Sequence, residues 1–164
     1  VSSQDELYES AATEFGAALA RLARGYEADP DKRCDLVQDI HVALWRSLEA
    51  FSGRCSMRTW VYRVAHNTAI SYSLKQKRGR PSAFVSLDDV DLASVPIDAT
   101  REIALSKLME LIQRLKPLDR QVILTYLDGV DAAEIGEMTG LSPSNVATKI
   151  HRIKKILARD FQEA

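Results

Sequence analysis

A large aliphatic side chain returns every fourth residue at Leu36, Ile40, Leu44 and Leu48. That period belongs to one face of an α-helix, and almost every periodic segment of the chain shares it. Leu7, Phe15, Leu19, Leu22 and Tyr26 line one face of an N-terminal helix. Asp29 and Pro30 then supply an N-cap and a first-turn proline for the helix carrying Leu36 to Leu48, with Val37 and Trp45 beside that stripe. Phe51, Ser52 and Gly53 break it. A third helix is expected from about Ser56 to Lys77, with Met57, Trp60 or Val61, Val64 and Thr68 facing inward. Arg63, Asn67 and Ser71 are spaced by four and project together from another side.

Residues 81–100 have no sustained period. Pro81, Pro96 and the acidic residues Asp88, Asp89, Asp91 and Asp98 mark an expected linker, and Phe84, Val85 and Leu87 alternate without a partner strand. Beyond it the helical pattern resumes. Ala104, Leu108, Leu111, Ile112 and Leu115 form one stripe, which Pro117 is expected to end. Val122, Ile123, Tyr126 and Leu127 form the next, and Gly129 suits a helix terminus. Asp131 is placed to cap a short helix with Ile135 and Met138, stopped by Gly140. Ser142 and Pro143 open a final helix whose inner face is Val146, Ile150, Ile153 and Leu157. The expectation is an all-α chain of two small helical domains, residues 1–80 and 101–164, joined through residues 81–100.

Charge is sorted along this framework. Ala50 to Leu87 contains no Asp or Glu but holds seven basic residues: Arg54, Arg58, Arg63, Lys75, Lys77, Arg78 and Arg80. Phe51, Trp60, Tyr62, Tyr72 and Phe84 lie among them. Cations interleaved with aromatics suit a polyanion with stackable bases; they also suit a solvated basic face over core aromatics. A second signal comes from the pair of short helices joined by Gly140, Leu141 and Ser142, which fits a helix-turn-helix. The final helix keeps Ser144, Ala147, Thr148, His151, Arg152 and Lys155 away from its aliphatic face, flanked by Lys149 and Lys154. Such a face fits the major groove. A helical hairpin with a basic surface is the plainer alternative.

The net charge is −1 and the pI about 6.4. Phosphate attraction alone gives such a chain little affinity, so DNA binding implies a host that helps to hold it. Cys34 and Cys55 have no short metal-ligand spacing with His41, His66 or His151 and are expected to be reduced thiols. No phosphate-binding glycine loop, metal cluster or nucleophile pattern is present; Ser144 and His151 share a helix without a third residue to complete a triad. No catalytic residue and no cofactor is expected. No apolar run reaches membrane-span length, and the chain is expected to be soluble and cytoplasmic.

Two blocks carry a resemblance. DLVQDIHVALWRSLEAFSGRCSMRTWVYRVAHNTAISY, residues 35–72, resembles the second region of the extracytoplasmic-function class of bacterial RNA polymerase sigma factors. LKPLDRQVILTYLDGVDAAEIGEMTGLSPSNVATKIHRIKKIL, residues 115–157, resembles their fourth region. The resemblance implies a promoter-specificity subunit that binds core RNA polymerase. By similarity Leu36, Val37, Gln38, Asp39 and Trp45 lie at or beside the contact with the beta-prime clamp helices. Leu36 and Trp45 are equally readable as core, and a large aromatic such as Trp45 is more often buried.

The segment RTWVYRVAHN resembles the part that opens and reads the −10 element. It implicates Arg58, Arg63 and Asn67, with Trp60 supporting a base pocket or belonging to the core. Phe51 to Ser56, including Arg54, resembles the loop that captures an everted base. In the final helix Ser144, Thr148, Lys149, His151, Arg152 and Lys155 fall on the face implied to read the −35 element. SNVATKIHRIKK departs from the common GTVKSRLHRA pattern, and Ala147 stands where a basic residue is usual; its methyl remains able to meet thymine. The family's fourth region also implies the polymerase beta flap as a partner, and its members are often held inactive by an anti-sigma protein. Competing readings are a free-standing helix-turn-helix regulator and a protein-binding helical adaptor.

Overall fold

The computed structural model describes residues 3–77 and 101–162. The expected linker at 81–100, with its four aspartates and the alternating Phe84–Leu87 stretch, lies outside the described residues, as do Arg78 and Arg80. The described chain is helical: α1 (Ser3–Tyr26), α2 (Pro30–Ser47), a 3-10 turn (Leu48–Ala50), α3 (Met57–Lys77), α4 (Arg101–Gln113), α5 (Pro117–Leu127), α6 (Ala132–Thr139) and α7 (Pro143–Gln162). It divides into two compact units, one holding α1, α2 and α3, the other holding α4, α5, α7 and the start of α6.

In the first unit all three helices pack on one another. Asp29 starts α2: its carboxylate accepts the backbone N–H groups of Lys32 and Asp31 at 3.1 and 2.9 Å. Those two bonds hold the Asp29 carboxyl below its usual range. Leu36, Ile40, Leu44 and Leu48 are buried as the period requires, together with Phe15, Leu19, Leu22 and Tyr26 of α1.

The inner face of α3 matches expectation at Val61 and differs elsewhere. Val61, Tyr62, Ala65, His66 and Ala69 are buried, while Met57, Trp60, Val64 and Thr68 are only half-buried. The larger apolar residues suggested the wrong angle. Alanine at 65 and 69 is fully buried where α3 packs on α1 and α2, and side chains this small permit close packing of that face.

His66 comes into the core with this face. It is fully buried, its Nδ1 lies 2.8 Å from the Tyr26 hydroxyl, and its ring stacks 6.3 Å from that of Tyr62. Burial pushes its pKa down to about 3. The folded ring therefore stays neutral, and a neutral ring can accept the Tyr26 proton at Nδ1.

In the second unit α4 ends at Gln113 rather than at Pro117. The N–H groups of Arg114 and Leu115 bond to the carbonyls of Leu111 and Ile112, a tightening typical of a helix end. The buried Arg120 donates through Nη2 to the carbonyls of Gln113 and Leu115 at 2.6 and 3.0 Å, placing a cation on the α4 C-terminus. Pro117 opens α5 instead, where its missing N–H leaves no bond unmade. Leu111, Ile112, Leu115, Val122 and Ile123 are buried as expected; Leu127 is 50% exposed and does not belong to the core stripe.

The turn between α6 and α7 is built as the sequence suggests. The Asp131 carboxylate accepts the Glu134 N–H at 2.9 Å, and the Ser142 hydroxyl accepts the Asn145 N–H at 3.1 Å. Gly140 has φ +81°, a conformation other residues rarely adopt. A Cβ on Gly136 would meet the Leu141 carbonyl oxygen at 2.6 Å, so the turn crosses α6 where only glycine fits. Val146, Ile150, Ile153 and Leu157 of α7 are buried.

The depressed His66 pKa predicts acid sensitivity. Above about pH 6.5 the ring is neutral in both states; below it the unfolded chain takes up a proton that the folded core refuses. Stability of the first unit is therefore expected to fall by up to about 1.4 kcal/mol per pH unit between about pH 6 and pH 3. Both tryptophans, Trp45 and Trp60, lie in this unit, so urea titrations followed by their fluorescence measure it. His66→Phe should flatten the slope; an unaltered slope refutes the assignment.

Candidate nucleic-acid and partner interfaces

Three outward faces hold the residues singled out in the sequence. On α7, Ser144, Ala147, Thr148, His151, Arg152 and Lys155 are exposed opposite the buried aliphatic stripe. The first part of this face is small: Ser144 and Ala147, with Thr148 turning its hydroxyl back to the Ser144 carbonyl at 3.0 Å. Cationic side chains come one to two turns later.

Two lysines expected to flank this surface serve the scaffold. Lys149 Nζ lies 2.7 Å from Asp119 Oδ1, and the aspartate side chain is only 6% exposed. Lys149 is thus a counter-ion linking α7 to α5. Lys154 likewise reaches the Tyr126 hydroxyl at 3.3 Å and sits 5.3 Å from the centre of its ring. Spacing along α7 placed these lysines near the outer face; the acidic and aromatic partners on α5 decide where their ammonium groups go.

On α3, Arg63, Asn67 and Ser71 are exposed in one row, as their spacing requires. The Phe51–Ser56 loop leads into this helix, with Arg54 and Ser56 exposed, and Arg58 is half-buried in the first turn of α3. The Ser56 hydroxyl caps α3: it accepts the Thr59 N–H at 3.1 Å and bonds Thr59 Oγ1 at 3.0 Å. Its first role is therefore structural.

Trp60 is neither deep core nor mobile surface. Its indole N–H donates to Ser47 Oγ at 2.9 Å, and its ring meets Phe51 edge-on at 5.3 Å between centroids. The aromatic pair forms a rigid wall at the base of the loop.

On α2, Gln38 and Asp39 are exposed and Val37 is half-buried. Leu36 is fully buried, so its side chain cannot itself touch a partner; it anchors the helix that presents its neighbours. Trp45 reverses the core expectation. It is 40% exposed, and its indole N–H donates to Asp5 Oδ1 at 2.8 Å. Val42, 48% exposed, lies beside it on the helix surface and was missed in the sequence. The available signal was the helical wheel, since Gln38, Val42 and Trp45 are spaced by four and three.

A groove of about 470 Å³ runs between α2 and α3, lined by Asp39, Val42, Arg46, Asn67, Ser71 and Lys75 among others. It joins the outward face of α2 to that of α3. Tyr72 closes one side, donating to Glu27 Oε2 at 2.9 Å; partial burial and this carboxylate acceptor push its phenol pKa up.

Cys34 is exposed, Cys55 is half-buried, and both are free thiols. Among the described residues no group of His, Cys, Asp and Glu is arranged to hold a metal ion, and no helix is long and apolar enough to cross a membrane.

Comparison with known proteins places these faces in a family. Residues 12–79 match Sigma-70 region 2, and residues 105–157 match Sigma-70, region 4. The chain is 27% identical over 155 residues to the RNA polymerase sigma factor NccH of Alcaligenes xylosoxydans xylosoxydans, covering 91% of this chain and 83% of that protein. It is 27% identical over 139 residues to the ECF RNA polymerase sigma-E factor of Haemophilus influenzae, covering 78% and 74%. Among solved structures, the sigma factor RpoE in complex with the anti-sigma factor NepR from Bartonella quintana has a similar fold, with a TM-score of 0.66 at 18% identity over 92% of this chain and 95% of that one. Two family regions in order, carried on an all-helical chain, make this protein a member of the extracytoplasmic-function sigma factors, the subunits that bind core RNA polymerase and direct it to specific promoters.

Proposed function

We propose that the two modules divide promoter recognition by face. Residues 1–80 form the polymerase-docking and −10 module, residues 81–100 the linker, and residues 101–164 the −35 module. On α2, Val37, Gln38, Asp39 and Trp45 meet the beta-prime clamp helices, with Leu36 holding them from below. On α3 and its preceding loop, Arg54, Arg58, Arg63 and Asn67 bind the opened −10 strand. Phe51 and Trp60 supply the flat wall against which an everted base stacks, and Ser56 sets the loop by capping α3. Unstacking a base costs a few kcal/mol, which stacking on an aromatic wall offsets. On α7, Ser144, Thr148, His151, Arg152 and Lys155 enter the −35 major groove, where the small residues of the first turn let the helix approach base edges.

The observation that carries this reading is the placement of cationic and amide side chains on the outer faces of two rigid helices, α3 and α7, in a chain of net charge −1. Neither face has the charge to hold DNA alone. Polymerase, gripping α2 and contacting the −35 module through its beta flap, holds both at a fixed spacing, and effective concentration converts two weak contacts into one strong one. The protein works by binding rather than by catalysis, with no cofactor, and acts in the cytoplasm. The RpoE structure was solved with an anti-sigma factor; a similar antagonist suits this chain, with the exposed Gln38 and Asp39 within its reach.

The direct test adds the purified chain to core polymerase on a promoter library. Transcripts should start downstream of one defined pair of −35 and −10 motifs. Sequence-specific duplex binding with no effect on polymerase overturns the reading.

The two basic residues Arg152 and Lys149 should separate cleanly. Arg152→Ala is expected to cost about 1–3 kcal/mol of −35 discrimination, measured by competition between consensus and altered −35 sites. Lys149→Ala leaves Asp119 buried without its counter-ion, so it should lower stability by about 1–2 kcal/mol in a denaturant titration.

Asn67→Ala should impair −10 discrimination and open-complex formation while leaving holoenzyme assembly intact. Retained promoter choice with lost polymerase binding would move Asn67 to the docking surface.

A further inference from the structure

The outward face of α2 carries two large apolar side chains left substantially open to solvent: Val42 is 48% and Trp45 is 40% exposed. A half-exposed tryptophan on a helix surface ordinarily keeps some rotamer freedom. Here the first turn of α1 restrains it. Asp5 Oδ1 accepts the Trp45 indole N–H at 2.8 Å, and Gln4 Nε2 donates to the Trp45 carbonyl at 2.7 Å. One turn further along α1, the Tyr8 hydroxyl meets His41 Nδ1 at 2.9 Å. The N-terminal part of α1 is thus tied to α2 by three polar bonds, two of them at Trp45.

We propose that Asp5 is a positioning residue for polymerase docking. It fixes the Trp45 indole so that the ring, with Val42 beside it, forms a preformed apolar anchor for a hydrophobic contact on core polymerase. The inference rests on the reading of α2 as the docking helix. Two consequences of the Asp5 bond favour this. Rotamer freedom is surrendered during folding instead of during association, which raises affinity without adding a contact. The indole N–H is already satisfied inside the chain, so the ring can be covered by an apolar partner without stranding a buried donor. Aromatic anchors of this kind carry a large share of binding energy when a partner desolvates them.

The test is a double-mutant cycle read as the dissociation constant of the full chain for core polymerase, with melting temperature as a check on folding. Trp45→Ala should weaken assembly by about tenfold or more. Asp5→Ala should weaken it by about three- to tenfold and speed exchange of the Trp45 indole proton seen by NMR. Asp5→Asn keeps a carbonyl acceptor and should stay close to the parent. In a Trp45→Phe background, which keeps an aromatic ring but has no indole N–H, Asp5→Ala should have no further effect.

If Asp5→Ala weakens the Trp45→Phe protein by the same factor as the parent, Asp5 touches polymerase itself and the positioning role is wrong. Full affinity in Asp5→Ala alongside a loss in Trp45→Ala refutes the positioning role and leaves the docking reading standing. Unchanged affinity in Trp45→Ala removes the docking reading at this residue, and the inference with it.

Discussion

The burial of Ala65 and Ala69 against α1 and α2 sets which face of α3 points outward. Because the buried row on this helix is Val61, Ala65 and Ala69, the opposite row is Arg63, Asn67 and Ser71. A rotation of one residue would carry a cation toward the core and an alanine toward solvent. The buried bond between His66 and Tyr26 specifies that rotation further, since a hydrogen bond tolerates less sliding than an apolar contact. The price is a core group that must remain neutral. On the proposed reading of α3, rigidity matters because a helix that binds an opened strand must oppose unstacking with groups already in place.

A second constraint is charge. With 22 basic and 23 acidic residues the chain has no general attraction for DNA, so cationic side chains count by position. Some are engaged within the chain. Lys149 pairs with Asp119, Lys154 lies over Tyr126, and Arg120 closes the end of α4. Each binds a helix to a neighbour, and the pair on α7 fixes the azimuth at which His151, Arg152 and Lys155 project. The reading surface is therefore smaller than the basic composition of α7 implies. A small surface makes free binding weak, which suits a subunit that acts only when a larger machine holds it.

Most of the fold was legible because helices write themselves as periods and caps. The α2 stripe, the Asp29 and Ser142 caps, the Gly140 turn and the α7 stripe follow from side-chain spacing and local hydrogen bonding alone. The misplaced features are those that depend on a distant partner. Pro117 marks a helix boundary in the sequence but does not say which helix it belongs to; the carbonyls gathered by Arg120 decide that. Trp45 is large and apolar, so hydrophobicity sends it inward, while Asp5, forty residues earlier, offers its indole an acceptor at the surface. Lys149 reads as a groove contact until Asp119 appears beside it. The inner face of α3 was missed for the opposite reason: alanine carries little hydrophobic signal, yet its small size sets the closest approach.

These misplacements bear on how the two promoter elements can be read. Each module presents a face whose side chains are oriented by bonds within that module: Trp60 through Ser47, Trp45 through Asp5, and α7 through Lys149 and Asp119. Orientation within a module is therefore fixed before any partner arrives. On the proposed reading, what polymerase adds is the distance between modules. Local geometry sets which bases are preferred, and spacing sets whether both preferences can be met on one promoter. A substitution in either face changes the preferred sequence, whereas a change in how polymerase holds the modules alters the tolerated spacing. Specificity in this chain thus resolves into two separable quantities, one carried by its own side chains and one borrowed from its host.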